Sequence, residues 1–181
     1  MKIAVIYGSD TGNTERVAYL IQSGLGQDIV DLYDVYAIDS TIFSQYDVFI
    51  FGVPTWYDGQ LQSDWELMVK KMNTTCLNQR IVAVFGLGDQ ENWGRYFVDA
   101  MGTLARKALA CGAILVGKWP TFGYHFEQSQ SLIEENYFYG LALDEDQQPE
   151  LTAERVSIWI NQLSAEFVNL GIHFSVIKNV A

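Results

Sequence analysis

Short apolar runs alternate along this chain with longer stretches whose apolar residues recur every three or four positions. Residues 3–7 form a continuous β-branched and aromatic run that stops at Gly8. From Thr14 to Leu25 the apolar positions Val17, Ala18, Leu20, Ile21 and Leu25 keep helical spacing. Residues 29–33 and 48–53 predict a second and a third strand, the latter ending at Pro54. Residues 63–72 predict a helix with Ser63 as N-cap and Glu66 three residues on, a capping box. Residues 81–85 predict a fourth strand, and 96–110 a helix carrying Phe97, Met101, Leu104, Ala105 and Ala108 on one side. A fifth strand begins at residues 114–116. The rhythm then breaks between Lys118 and Tyr139 into aromatics and turn residues, a long inserted loop, and residues 137–143 resume the strand. Thr152 is the expected N-cap of a last helix to Phe167, with Val156, Trp159, Ile160 and Leu163 as its buried stripe.

Strands that are apolar on both faces and separated by helices predict a parallel sheet covered on both sides. The expected fold is therefore α/β: a doubly wound, five-stranded parallel sheet whose fifth strand is interrupted by an insertion. Residues 1–167 make one domain, and 168–181 form a C-terminal extension to which the pattern assigns no role. The 181-residue length and 49% hydrophobic content suit one globular core.

Charge narrows the partners. Eleven basic against 22 acidic residues leave a formal net charge of −11. Nucleic acid is an unsuitable partner, since phosphate binding needs a basic face. A basic protein partner fits, and so does acidity that serves solubility alone. Cys76 and Cys111 are the two cysteines and form no C-x-x-C pair, so buried free thiols are expected and iron–sulfur or zinc sites are not. The N-terminal run does not read as a signal peptide and no apolar run reaches membrane-spanning length, so a cytoplasmic location is expected. His125 and His173 stand apart from any nucleophile motif and are read as surface or insertion-loop residues. Trp65, Trp119 and Trp159 are read as packing residues.

In an open parallel sheet, ligands bind beyond the carboxyl ends of the strands. Three loops there are unusual. The first, Ser9-Asp10-Thr11-Gly12-Asn13-Thr14, follows a strand and opens a helix, the setting in which backbone N–H groups and the helix dipole hold a phosphate. It contains no G-K-[ST], no G-x-G-x-x-G and no cation, so neither a nucleoside triphosphate nor a dinucleotide is favoured. An ordinary hydroxyl-rich helix start is the alternative. The second, residues 54–61, sets Trp56 and Tyr57 side by side at a strand end, either to stack on a planar ring or to cover the core edge. The third, residues 86–94, offers glycines for close approach of a ligand and a second flat face in Trp93. Together they describe a flat heterocycle on a phosphorylated chain.

These segments resemble those of the long-chain flavodoxins. The resemblance is carried by Gly8-Ser9-Asp10-Thr11-Gly12-Asn13-Thr14, Pro54-Thr55-Trp56, residues 59–66, Gly86-Leu87-Gly88-Asp89-Gln90, residues 140–146 and the inserted stretch 119–124, and covers roughly residues 1–167. It implies a low-potential one-electron carrier, not an enzyme, holding flavin mononucleotide (FMN) without a covalent bond. The implied FMN site comprises Ser9, Asp10, Thr11, Gly12, Asn13 and Thr14 around the phosphate. It continues with Pro54, Thr55, Trp56, Tyr57, Asp58 and Gly59 on the inner side and with Leu87, Gly88, Asp89 and Trp93 on the outer side. Trp93 stands where the family usually has Tyr, and Arg95 next to it is unexpected beside an anion. The Tyr57–Asp58 peptide corresponds to the family's redox-linked switch.

An aromatic sandwich disfavours an anionic reduced flavin by desolvation, and carboxylates such as Asp58 and Asp89 disfavour it further. A like charge ~4 Å away at an effective dielectric near 20 is worth about 4 kcal/mol. About 59 mV corresponds to about 1.4 kcal/mol for one electron, so one or two such charges suffice for a low potential. Asp64, Glu66 and Asp99 are expected to steer basic redox partners, which the resemblance takes to include a ferredoxin/flavodoxin–NADP reductase meeting a monomer. Two rivals use a similar sheet. A flavin-dependent NAD(P)H:quinone reductase would need a second substrate pocket over the flavin. A phosphorylation-dependent receiver would need a phospho-acceptor Asp where Gly52-Val53-Pro54 stands.

Overall fold

The β-branched and aromatic runs become the central strands, because side chains buried on both faces leave no room for a polar alternation. The computed structural model describes residues 2–172. Within it, β1 (Ile3–Tyr7), β2 (Val30–Asp34), β3 (Val48–Trp56) and β5 (Ile81–Leu87) are parallel and lie in the order β2-β1-β3-β5. The short β4 (Gln60–Leu61) folds back antiparallel onto the end of β3. Two further strands share the outer edge of β5: β6 (Ile114–Val116) pairs with Ile81–Ala83, and the last strand, β10 (Leu141–Leu143), pairs with Phe85–Leu87. The fifth strand is thus split, and the insertion leaves and re-enters opposite Val84. Re-entry needs Gly140, where a Cβ would lie 1.9 Å from the Val84 carbonyl oxygen. Counting the split strand as one, the order is 2-1-3-4-5, for which flavodoxin itself is the usual example.

The insertion carries its own antiparallel sheet of β7 (Trp119–Pro120), β8 (Leu132–Glu134) and β9 (Tyr137–Phe138), in the order β7-β9-β8. The segment expected to be a loop is therefore ordered. Of the expected resumption at residues 137–143, Tyr137 and Phe138 belong to this second sheet and only Leu141–Leu143 rejoin the first. Tyr124 ties the two together, accepting a hydrogen bond from Trp119 Nε1 at 2.9 Å and donating one to the Ala142 carbonyl at 2.5 Å.

Helices α1 (Asn13–Leu25) and α4 (Thr152–Asn169) cover one face of the main sheet, and α2 (Ser63–Lys71) and α3 (Asp99–Ala110) the other. Along β5 the alternation decides this: the Phe85 ring meets Trp159 of α4, while Gly86 makes room for Met101 of α3. Trp65 of α2 packs on Phe51, and Trp65, Trp119 and Trp159 are buried as expected.

Three helix starts differ from expectation. Gln62, not Ser63, caps α2, its Oε1 accepting from the N–H groups of Asp64 and Trp65 at 3.1 and 3.2 Å. Thr152 is the first residue of α4 rather than its cap, and its hydroxyl donates to Glu145 instead. Helix α3 begins at Asp99, three residues late, because Val98 sits at φ 51, outside the right-handed helix. Hydrogen bonds from Ser129 Oγ to the Phe97 carbonyl and Ser131 Oγ to the Val98 carbonyl hold that entry in place.

Candidate functional site

The loop after β1 turns over a left-handed Gly12, the N-cap of α1, which has no side chain to satisfy the helix start. The first-turn N–H groups of α1 therefore point outward without a capping side chain, with the dipole's positive end behind them. Ser9 Oγ accepts the Gly12 N–H at 3.0 Å, which fixes the hydroxyl and leaves its own proton to donate. Gln62 braces this loop. It is 1% exposed, and its Nε2 donates to Asp10 at 3.1 Å and Asp64 at 2.7 Å while its Oε1 caps α2.

The loops after β1, β3, β5 and β10 enclose a cleft of about 330 Å³, at the point where the strand order reverses between β1 and β3. Ser9, Asp10, Thr11, Asn13 and Thr14 line one end. Pro54, Thr55, Trp56 and Tyr57 line one wall, and Leu87, Gly88, Asp89, Trp93 and Tyr96 the other. Two polar atoms here are buried and unpartnered: Thr55 Oγ1 and the Trp56 indole Nε1. Buried donors are nearly always satisfied, so this pair points to a polar ligand. Trp93 remains half exposed at the mouth, as an outer lid would be.

Charge around the cleft is negative and graded. Burial alone would raise the Asp89 carboxyl, yet hydrogen bonds from the Asn92 backbone and side chain, Gln147 and the Glu91 N–H hold it below its ordinary range. The Asp146 carboxyl is pushed up by burial and then by repulsion from Asp89, Asp144 and Glu145. Glu145 pairs with Arg16 and accepts the Thr152 hydroxyl, so its charge is compensated. Asp144, fully buried, accepts the Gln90, Asp146 and Gln147 N–H groups and fastens β10 to the β5 loop.

A family model described as flavodoxin matches residues 5–159. The chain belongs to the flavodoxin family. Flavodoxin 1 of Salmonella typhimurium is 48% identical over 162 residues, which cover 90% of this chain and 92% of that protein. The flavodoxin of Klebsiella pneumoniae is 44% identical over 177 residues, 98% of each chain. The crystal structure of Fusobacterium nucleatum flavodoxin bound to flavin mononucleotide superposes with a TM-score of 0.85 at 30% identity, covering 91% of this chain and 98% of that one. Membership makes the chain an electron-transfer protein, with other redox proteins as its partners.

Set against the family resemblance, thirteen of the sixteen expected site residues line the cleft; Gly12, Asp58 and Gly59 do not. Asp58 is exposed at the tip of a turn and is not among the residues that line the cleft. Tyr96, Glu145 and Asp146 line it and were missed. Tyr96 lies in a turn three residues after Trp93, its N–H donating to the Trp93 carbonyl at 2.9 Å, and the acidic pair follows a strand end, which is the signal that marks it. Gly88 is demanded by the protein itself: a Cβ there would lie 2.9 Å from the Val98 nitrogen. Arg95 does not oppose an anion, because its Nε donates to Glu127 of the insertion at 2.8 Å. Of the expected steering groups, Glu66 is exposed and pairs with Lys70, Asp64 is half buried, and Asp99 is buried, which overturns its surface role. His125 is exposed on the insertion, while His173 lies outside the described residues. Cys111 is buried and the half-buried Cys76 thiol is pushed up to about 12 by burial and a hydrogen bond with Cys111, as suits inert thiols.

Proposed function

We propose that this chain binds one FMN without a covalent bond in the cleft between β1 and β3 and works as a low-potential one-electron carrier. The observation that carries the reading is the pair of buried, unpartnered groups, Thr55 Oγ1 and Trp56 Nε1, beside a hydroxyl-rich helix start with uncapped N–H groups. That donor set suits a phosphate held by dipoles alone. Ser9, Asp10, Thr11, Gly12, Asn13 and Thr14 hold the phosphate end, with Thr55. Trp56 and Trp93 flank the ring system, Pro54, Tyr57, Leu87, Gly88 and Asp89 complete the walls, and Asp58 and Gly59 form the turn beside them. The binding unit is the domain of residues 1–167.

Bound FMN supplies the one-electron chemistry. The chain's own residues bias it: the indoles exclude water, and Asp89, kept ionised, disfavours added negative charge. Among the described residues no helix is long and apolar enough to cross a membrane, which supports a cytoplasmic carrier. The acidic surface suits a basic partner such as a ferredoxin/flavodoxin–NADP reductase, met transiently by a monomer.

Titration of the FMN-free protein with FMN should give one site by calorimetry and quench the flavin's fluorescence. Stepwise reduction of the loaded protein should resolve two one-electron potentials, and NADPH alone should not be turned over. A single two-electron wave with steady NADPH oxidation would make the protein a quinone reductase instead.

A further inference from the structure

β3 and β4 pair Thr55 with Leu61 and Trp56 with Gln60, which leaves Tyr57, Asp58 and Gly59 as a three-residue turn next to the cleft. Tyr57 has φ 46 and Gly59 φ 86, so two of the three residues are left-handed. Beneath them lies Asp99, the first residue of α3, only 1% exposed. A Cβ on Gly59 would stand 2.9 Å from both Cβ and Oδ2 of Asp99, so the turn's backbone rests directly on this carboxyl. Oδ1 accepts the Gln130 N–H at 2.6 Å, whereas Oδ2 is buried without a partner.

We infer that Asp99 is a positioning residue for the cleft: its carboxyl exchanges a proton with solvent as the turn 57–59 changes conformation, and so makes the hold on FMN depend on pH. This rests on the FMN reading above.

The two forms of the carboxyl ask opposite things of the turn. An ionised Oδ2 needs an N–H from the backbone above it; a neutral Oδ2–H needs a carbonyl. A peptide presents N–H on one side and C=O on the other, so a peptide of the turn that rotates exchanges what it offers. The glycine at its end can follow that rotation at little steric cost. In the present conformation Oδ2 takes neither. Burial pushes the carboxyl up, against hydrogen bonding from Gln130 and the charge of Arg106.

No stronger titrating neighbour competes. Around Asp99, β3, β4 and β5 carry no ionisable side chain, and the insertion presents Gln130 and Ser129. The turn itself carries Tyr57 and Asp58, both exposed, and α3 carries Arg106, already bonded to the Gln130 carbonyl. Trp56 immediately precedes the turn, so its movement reaches the cleft wall directly.

Two measurements test this. In the FMN-free protein, the Asp99 carboxyl carbon and the backbone amides of residues 57–60 should titrate together by NMR, above the ordinary aspartate range, and the amide titration should vanish in Asp99→Asn. In the loaded protein, the FMN dissociation constant should change about tenfold for each unit by which FMN shifts the Asp99 titration, and Asp99→Asn should flatten that profile. Amides that do not follow the carboxyl, or an Asn variant with the wild-type pH profile, would overturn the inference. FMN binding by the wild type at a single pH is read separately, so loss of the FMN reading itself would be recognised as such.

Discussion

Gln62 joins two segments of this site without itself lining the cleft. Its amide caps α2 and holds the loop after β1 through Asp10, all from a buried position. Gln62→Ala leaves two N–H groups and two carboxylates without that partner. Removing it should lower unfolding stability by about 1–3 kcal/mol in chemical denaturation and weaken FMN binding as well. Asp99 makes a separate prediction about stability. Its folded-state carboxyl lies above the ordinary value of 3.8, so the native chain binds more protons than the unfolded one in that window. Stability from this group is therefore fully present below 3.8 and is lost as pH rises through the raised value. The gap between Asp99→Asn and the wild type should widen in favour of Asn across that interval, measured by urea melts at several pH values; a constant gap would refute it.

At the scale of elements, the insertion between β6 and β10 is fastened chiefly by aromatics. Phe97, Tyr124, Phe126 and Phe138 pack on one another, and the Arg155 guanidinium lies 4.1 Å from the centre of the Tyr124 ring. The Tyr124 hydroxyl is a buried polar joint that links the small sheet to β10. Tyr124→Phe keeps the rings but leaves the buried Trp119 N–H unpartnered. It should cost about 1–3 kcal/mol, with faster amide exchange at residues 119–124 than in the rest of the sheet. The cleft should keep its shape, because Asp144 holds β10 to the β5 loop independently.

For the whole molecule, the −11 net charge is the property that partners meet first. Several of the described cations are already engaged: Lys2, Arg16, Lys70, Arg80, Arg95 and Lys118 each pair with a carboxylate. Each pair cancels one carboxylate along with one cation, so the surplus that partners meet stays acidic. Electron transfer with a basic reductase should slow steeply as ionic strength rises toward 0.5 M in stopped-flow measurements, since the screening length falls to a few Å near 1 M. A rate indifferent to salt would mean that charge steers nothing.

The amino-acid sequence by itself determined the layered α/β order, because runs apolar on both faces can only be central parallel strands. It also determined the phosphate-type loop, because hydroxyls, a glycine and a helix start are contiguous there. Local pattern does not reach contacts between distant segments, and those decided the rest. Whether Asp99 faced water or the underside of residues 57–59 depended on how α3 meets the β3–β4 hairpin. Whether Gln62 or Ser63 capped α2 depended on where Asp10 lay, 52 residues earlier in the chain. The insertion became a sheet only because Trp119, Tyr124 and Ala142 found one another in space, and burial of their polar atoms then required that they pair.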